Sequence, residues 1–387
     1  MGSRRIVIFS ALYPPHLGGV EKYTQAIAGE LAKDSQVTVF CMNTEHQPEF
    51  RREGGTDIFS LPCFSLQRGR FPVPKLSSLR LIEDWFRKNH ADFGIVQCRF
   101  YLLSLLGCFI FDRYRVPFIQ IEHGAGDITF QNPLVNWLWH RYDGLLTILE
   151  KRIHHDFYAV SYAGLRWLGH YGIHGIGVIP NCVDPRDFEK CLAHPGAWRK
   201  AHGISEEALI ITFTGRIMRE KGVLDLLKAF DRLSGSSLYL VIAGDGDMRL
   251  VQPWMDRKNI IFPGQISFSE VASLLADTTV FCLPSHFTEG MPTGVLEAGC
   301  CGVAVVASED GGTAEIIPDR DHGWLHPTGD IDALTEGLQW YFDHPEERER
   351  VGTNLRSRVL DLYTWNRAAR SVFDAMEKSL QTFPHPR

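Results

Sequence analysis

Glu289-Gly290-Met291-Pro292-Thr293-Gly294-Val295-Leu296-Glu297 is the stretch on which the reading of this chain turns. The apolar run Thr279-Val280-Phe281-Cys282-Leu283-Pro284 just before it has the length and composition of a buried strand. Gly290 suits a turn where backbone approaches a ligand closely. Pro292 is tolerated in a first helical turn, where its missing N–H costs nothing. A strand running into a helix start in this way presents free N–H groups that attract an anion such as a phosphate. Glu289 then falls at the mouth of the strand and Glu297 about one turn inside the helix, with one carboxylate on each side of the anion site. Carboxylates accept hydrogen bonds from vicinal hydroxyls, which sugars and ribose both carry. A helix cap beside a solvated glutamate is the plainer reading of the same residues.

Working outward, short apolar runs alternate with helical patterns along the whole chain. Ile6–Phe9, Val37–Phe40, Ile95–Cys98, Phe118–Glu122 and Phe157–Val160 form one series of strand candidates. Ile210–Thr214, Leu238–Ala243, Ile260–Phe262, Thr279–Leu283 and Ala304–Ala307 form a second. Val223, Leu226, Leu227 and Phe230 repeat at the spacing of one buried helix face. Alternation of this kind predicts an α/β chain of parallel sheets covered by helices. The polar stretch near Pro185–His202 separates the two series, which predicts two Rossmann-like, doubly wound domains facing a cleft. Ala369, Val372, Phe373, Met376 and Leu380 mark one stripe of a last helix after Tyr363-Thr364-Trp365, with Thr364 as its cap. The tail Pro384–Arg387 reads as frayed.

Composition narrows the function. A chain of 387 residues, 44% hydrophobic and 22% charged, is an ordinary globular protein of about two domains. A net charge of -6 argues against a general nucleic-acid binder, so no nucleic-acid partner is expected. The nine cysteines include no C-x-x-C pair, a pattern of reduced cytosolic thiols. No apolar window is long enough to span a bilayer. A cytoplasmic protein is therefore expected. Basic and aromatic residues mix in Arg68–Lys75, Trp85–Lys88 and Trp137–Arg141. Such patches either belong to amphipathic helices facing the core or dock peripherally on the inner, anionic face of a membrane.

Further segments carry chemistry. Gly215-Arg216-Ile217-Met218-Arg219-Glu220-Lys221-Gly222 follows a strand and opens a helix. Arg216 offers a planar fork and Lys221 a mobile point charge, a pair suited to a diphosphate; a solvated basic loop is the alternative. Gly18-Gly19 sits at another helix start after the first strand, again with N–H groups available to an anion. It is not G-x-G-x-x-G, which argues against a dinucleotide cofactor. His123 ends the strand Phe118–Glu122, at the edge where open α/β sheets bind ligands. Gly244-Asp245-Gly246-Asp247 closes another strand; its aspartates could hold a metal beside a diphosphate or simply form a turn.

The stretch Ser285–Glu315, with Glu289-Gly290-Met291-Pro292, Leu296-Glu297-Ala298, Gly302, Val305–Ser308, Gly311-Gly312 and Glu315, resembles the signature of family 4 retaining glycosyltransferases, which have the two-domain GT-B architecture. The basic loop is similar to that family's G-R-x-x-x-x-K-G element, Gly18-Gly19 to its N-terminal glycine loop, Glu122-His123-Gly124 to its His-Gly element, and Ile179-Pro180-Asn181-Cys182-Val183-Asp184 to its I-P-N-G-V-D turn. Ala304 stands where the family usually has proline, Gly299-Cys300-Cys301 replaces a commoner Met-Ala-Cys run, and Cys182 replaces a glycine.

The resemblance implies an N-terminal acceptor-side domain over residues 1–185, a nucleotide-sugar domain over 186–364, and a last helix, 365–387, crossing back to the first. It implies a donor site of Gly18, Gly19, Gly215, Arg216, Lys221, Gly290, Met291, Pro292 and Glu297. The catalytic set is Arg216, Lys221, Glu289 and His123, with His123 near the transferred sugar. The expected enzyme moves a sugar from a nucleoside-diphosphate sugar to a glycan or lipid-linked acceptor with retention. It needs no metal and no cofactor, because Arg216, Lys221 and the helix start supply the positive field. Gly244-Asp245-Gly246 is then the turn beside the nucleotide. Rival expectations are a GT-B sugar epimerase or phosphorylase and a catalytically silent nucleotide-sugar binder.

Overall fold

The computed structural model describes residues 4–16, 18–66, 69, 71–127, 132–153, 155–235 and 237–383, and its chain divides into two units: Met1–Asn181 with Trp365–Arg387, and Cys182–Thr364. In the first unit the strands are β1 (Arg4–Phe9), β2 (Ser35–Met42), β3 (Phe50–Glu53), β4 (Thr56–Leu61), β5 (Cys63–Leu66), β6 (Phe71–Pro74), β7 (Phe93–Gln97), β8 (Phe118–Glu122), β9 (Asp156–Ala159) and β10 (Gly177–Val178). The order across the main sheet is β10-β9-β8-β7-β1-β2-β4-β3, and every pairing is parallel except β3 with β4. Its helices are α1 (Gly19–Leu31), α2 (Leu76–Lys88), α3 (Leu102–Arg113), α4 (Pro133–Glu150) and α5 (Tyr162–His170). The central strands are buried on both faces, as helix-covered parallel strands must be, and Phe9, Phe40, Phe86, Phe111 and Phe118 fill the core beside them.

The second unit adds α6 (Arg186–Ala193), α7 (Ala197–His202), α8 (Val223–Phe230), α9 (Phe268–Ala276), α10 (Thr293–Cys300), α11 (Thr313–Ile316), α12 (Ile331–Asp343) and α13 (Pro345–Leu362). Its strands are β11 (Leu209–Thr214), β12 (Leu238–Ala243), β13 (Ile260–Gly264), β14 (Val280–Leu283), β15 (Ala304–Ser308) and β16 (Trp324–His326), in the all-parallel order β13-β12-β11-β14-β15-β16. The switch of winding direction falls between β11 and β14, where open sheets of this type bind ligands. The last helix, α14 (Trp365–Thr382), returns to the first unit and packs on α1 and β8 through Ala368, Ala369, Val372, Ala375 and Met376. Small residues at that face let the helices approach closely.

Several expectations change. The polar stretch Pro185–His202 folds as α6 and α7 inside the second unit. Six strands, β3 to β6, β10 and β16, lie where no strand was expected, and Phe71–Pro74 of the basic-aromatic patch is one arm of the β5–β6 hairpin instead of a helix. Arg68, Arg70 and the tail Pro384–Arg387 lie outside the described residues. Among the described residues, no helix is long and apolar enough to cross a membrane.

Candidate functional site

In the second unit the chemistry gathers at the C-terminal ends of β11 and β14. After β11, Gly215 and Arg216 lead into the turn Arg219–Lys221, and Gly222 opens α8. Gly222 has φ 70 and lies against the Pro284 carbonyl oxygen so closely that a Cβ would overlap it. This contact brings the segment after β14 onto the basic turn. His286 N and Phe287 N donate to Glu220 O at 2.8 and 3.1 Å, clasping the two loops together.

The clasp places Lys221 and Glu289 side by side. Lys221 Nζ donates to Glu289 Oε1 at 2.5 Å, and Ser285 Oγ donates to the same oxygen at 2.9 Å. Their side chains are 25% and 12% exposed, so the pair is partly shielded from water. Arg216 is exposed, and among the described residues its guanidinium has no hydrogen-bond or ion-pair partner. One fixed cation is therefore free and a second is held in place by a carboxylate.

Glu289 and Gly290 are in turn fixed by the glycine pair downstream. Gly312 N donates to Glu289 O at 2.8 Å, and a Cβ on Gly311 or Gly312 would collide with the Glu289 and Gly290 backbones. Pro292 occupies the cap position ahead of α10, extended at ψ 112, instead of the first helical turn. Among the described residues no side chain caps this helix, and its first backbone bond runs from Leu296 N to Pro292 O at 3.3 Å. The earlier N–H groups thus form an uncapped, electropositive end beside the buried Gly290 and Met291. Glu297 is 9% exposed, one turn into the helix.

Asp245 and Asp247 are arranged for a turn. Ile217 N donates to Asp245 O at 2.9 Å and Asp247 N to Ile217 O at 2.8 Å, extending the β11–β12 pairing past the strand ends. The Asp247 carboxylate is held by Arg249 at 2.7 and 2.9 Å, which keeps it below the usual carboxylate range. A cavity of about 470 Å³ elsewhere in this unit is lined by Arg199, Asp277, Cys301 and Arg348 and shares no residue with the anion site; its Arg199 is bound to the carbonyls of Ser205, Ala208 and Asp277.

In the first unit, Gly18 caps α1 and Gly19 is its first residue. The Glu21 carboxylate, bonded to His16 Nδ1 at 2.8 Å, packs on the Cα of Gly18 where a Cβ could not fit. His123 follows β8. Its Nε2 lies 2.7 Å from Gln97 Oε1, and Tyr23 packs edge-on at 4.6 Å. The Gln97 oxygen can only accept, so Nε2 carries the proton and Nδ1 keeps its lone pair. Burial pushes the imidazole down to about 3, so the ring is neutral at pH 7. Gln97, Glu122 and Ser285, which hold these residues, were not singled out by the sequence reading. Glu122 and Gln120 did carry a signal, as polar residues inside an otherwise apolar strand.

The chain is similar to known proteins over most of its length. Residues 17–187 match the model of Glycosyltransferase Family 4, and residues 196–358 match that of Glycosyl transferases group 1. An uncharacterized glycosyltransferase of Methanocaldococcus jannaschii is 23% identical over 97% of this chain and 98% of its own length. The GDP-mannose-dependent alpha-(1-6)-phosphatidylinositol monomannoside mannosyltransferase of Mycolicibacterium smegmatis is 23% identical, covering 91% of this chain and 93% of that protein. Among solved structures, sucrose-phosphate synthase from Thermosynechococcus elongatus superposes with a TM-score of 0.78 at 20% identity, over 98% of this chain and 99% of that one. Anabaena HepE in complex with UDP-glucose superposes with a TM-score of 0.74 at 15% identity, over 97% and 100%. The chain belongs to the family 4 glycosyltransferases of GT-B fold. It is a glycosyltransferase.

Proposed function

We propose that this enzyme transfers a sugar from a nucleoside-diphosphate sugar to a glycan or lipid-linked acceptor with retention and without a metal. The observation that carries the reading is the cluster at the β11 and β14 ends: free Arg216, Lys221 held by Glu289, and the uncapped start of α10. Departure of the nucleoside diphosphate is the hard step, and these groups stabilise the charge that develops on it. Gly215, Gly290, Met291 and Pro292 shape the backbone around the diphosphate; Gly18 and Gly19 offer N–H groups to it. Glu297 grips the ribose, Glu289 the hydroxyls of the transferred sugar, and neutral His123 contacts that sugar.

Glu289 is already bound by Lys221 and Ser285, which makes it a poor covalent nucleophile. A front-face displacement fits better. The bond from the anomeric carbon to the phosphate oxygen breaks, the bond to the acceptor oxygen forms on the same face, and the acceptor proton passes to the departing phosphate. Both the mannosyltransferase relative, by its GDP-mannose dependence, and the UDP-glucose complex support a nucleotide-sugar donor.

For a lipid-linked acceptor, α4 offers peripheral membrane contact. Leu134, Trp137, Leu138, Leu145 and Ile148 are exposed, Arg141 stacks over Trp137, and the helix's acids Asp143 and Glu150 are buried. A groove of about 290 Å³ lined by Phe71, Phe100, Tyr101 and Trp139 adjoins it. The experiment is release of nucleoside diphosphate from UDP-, GDP- and ADP-sugars with and without glycan and lipid-linked acceptors. Acceptor-dependent release with an unchanged anomeric configuration in the product supports the reading; binding without release, or an inverted product, overturns it.

A further inference from the structure

His123 is held from two sides by residues to which nothing above assigns a role in the reaction. Glu122, the last residue of β8, is 2% exposed, and its side chain folds back on the chain that follows. Its Oε1 accepts from His123 N and from Gly124 N, both at 2.9 Å. A carboxylate accepting two backbone N–H groups fixes the turn that carries the histidine. Gln97, 1% exposed at the end of the neighbouring β7, fixes the ring through the 2.7 Å contact to Nε2.

Behind Glu122 stands a buried cation. Arg99 Nε lies 3.8 Å from Glu122 Oε2. The guanidinium is gripped by Asp143 of α4 at 2.8 and 2.9 Å, bonds Thr147, and lies over the Tyr171 ring at 3.9 Å. Burial raises Glu122, and Arg99 draws it back down. The link between Gln97 and Arg99 is Cys98, buried and with φ 59, a left-handed conformation that side chains rarely adopt. Backbone outliers of this kind persist where the surroundings over-determine them, and they gather at functional sites. Among the described residues the buried Gln97 Nε2 has no partner, and the side-chain amide's one hydrogen bond is the one to the ring.

We propose that Glu122 and Gln97 are positioning residues for His123: the Glu122 carboxylate, backed by Arg99, sets the His123-Gly124 backbone, and the Gln97 amide sets the tautomer and plane of the ring. The proposal rests on the reading that His123 contacts the transferred sugar. It explains why β8 ends in a buried acid and why β7 ends in a buried amide beside a left-handed residue. Misplacing a catalytic contact by about 1 Å costs roughly 10²-fold in rate.

The test is a pair of double-mutant cycles. Turnover is followed as nucleoside diphosphate release from whichever UDP-, GDP- or ADP-sugar the wild type uses, and calorimetry gives the affinity for the free nucleoside diphosphate. Glu122→Ala and Gln97→Met should each lower kcat by about 10²-fold, while nucleoside diphosphate affinity stays within about twofold. In a His123→Ala background neither should lower kcat further. Glu122→Gln keeps an oxygen for both N–H groups and should restore most of kcat. Hydrogen exchange at His123 and Gly124 should quicken in Glu122→Ala and not in Glu122→Gln.

If His123→Ala lowers kcat but Glu122→Ala and Gln97→Met leave it intact, or add to the His123 effect, the positioning role is wrong and the reading of His123 stands. If His123→Ala leaves kcat unchanged, the reading of His123 falls first. Should Glu122→Ala not fold, the Gln97→Met cycle decides alone.

Discussion

Glu289→Gln separates the two jobs this carboxylate holds. In the folded protein it is the partner of Lys221, 2.5 Å away, with Ser285 at 2.9 Å on the same oxygen. The side chains are 25% and 12% exposed, between the surface and buried regimes. Surface pairs contribute about 0.2–1 kcal/mol, and breaking a fully buried pair costs about 3–5 kcal/mol. Glutamine keeps the acceptor for Ser285 and a neutral contact to Lys221, so the loss should be about 1–2 kcal/mol. At roughly 2–4 °C per kcal/mol for a domain of this size, Tm should fall by about 2–8 °C. Turnover should fall much further, by about 10²–10³-fold, because contacts to the changing sugar are realised in the transition state. Affinity for free nucleoside diphosphate should hold or rise, since Lys221 is released from a carboxylate and left to the diphosphate. Glu297→Ala should do the reverse, weakening both nucleoside diphosphate and intact donor. Calorimetric titration, steady-state kinetics and thermal melting of both variants supply the data. If Glu289→Gln loses nucleoside diphosphate affinity as badly as Glu297→Ala, the division of roles is refuted.

Excess EDTA should leave turnover largely intact, and Asp245→Asn with Asp247→Asn should not abolish it; complete loss restored by Mn²⁺ would show that a metal is required. His123 is lowered from 6.5 to about 3, so the unfolded chain takes up a proton there that the folded chain refuses. Its contribution to stability is complete above about pH 6.5 and declines by about 1.4 kcal/mol per pH unit as pH falls toward 3. Urea unfolding at pH 7, 6 and 5 should show a shallower decline for His123→Asn than for wild type, and equal slopes contradict a ring held neutral by the fold. Vesicles containing anionic lipid should float the protein at low salt, and Trp137→Ser with Leu138→Ser should weaken that flotation; equal flotation of the variant removes α4 as the contact.

Much of this was legible because parallel strands covered on both faces are written as unbroken apolar runs. Phe118–Glu122 and Leu238–Ala243 were read with the bounds they have in the structure. Edge strands are different. Phe50–Glu53 is mostly exposed and carries no apolar run, so periodicity could not find it. The turn after it could have been seen: Gly54-Gly55, with φ 53 and 84, is a two-residue hairpin turn that needs positive φ at both positions. The candidate site was legible where glycine and charge mark a close approach, as in Gly215–Gly222 and Glu289–Gly290. The ion pair of Lys221 with Glu289 was not, because it spans residues far apart in sequence, joined only when Gly222 lets Pro284 approach. Gln97 was missed for the same reason, since it reaches His123 from a neighbouring strand; Glu122 bonds the two residues that follow it, a fold-back of the side chain that no periodicity marks.

The central claim is that Arg216 and Lys221 hold the donor's diphosphate. Calorimetric titration of GDP and UDP into the wild type and into Arg216→Ala with Lys221→Ala tests it most directly. The wild type should bind at least one of the two nucleotides, and the double variant, its fold checked by melting, should show no heat of binding over the same range. Equal affinity in a folded double variant would place the diphosphate elsewhere and contradict the account.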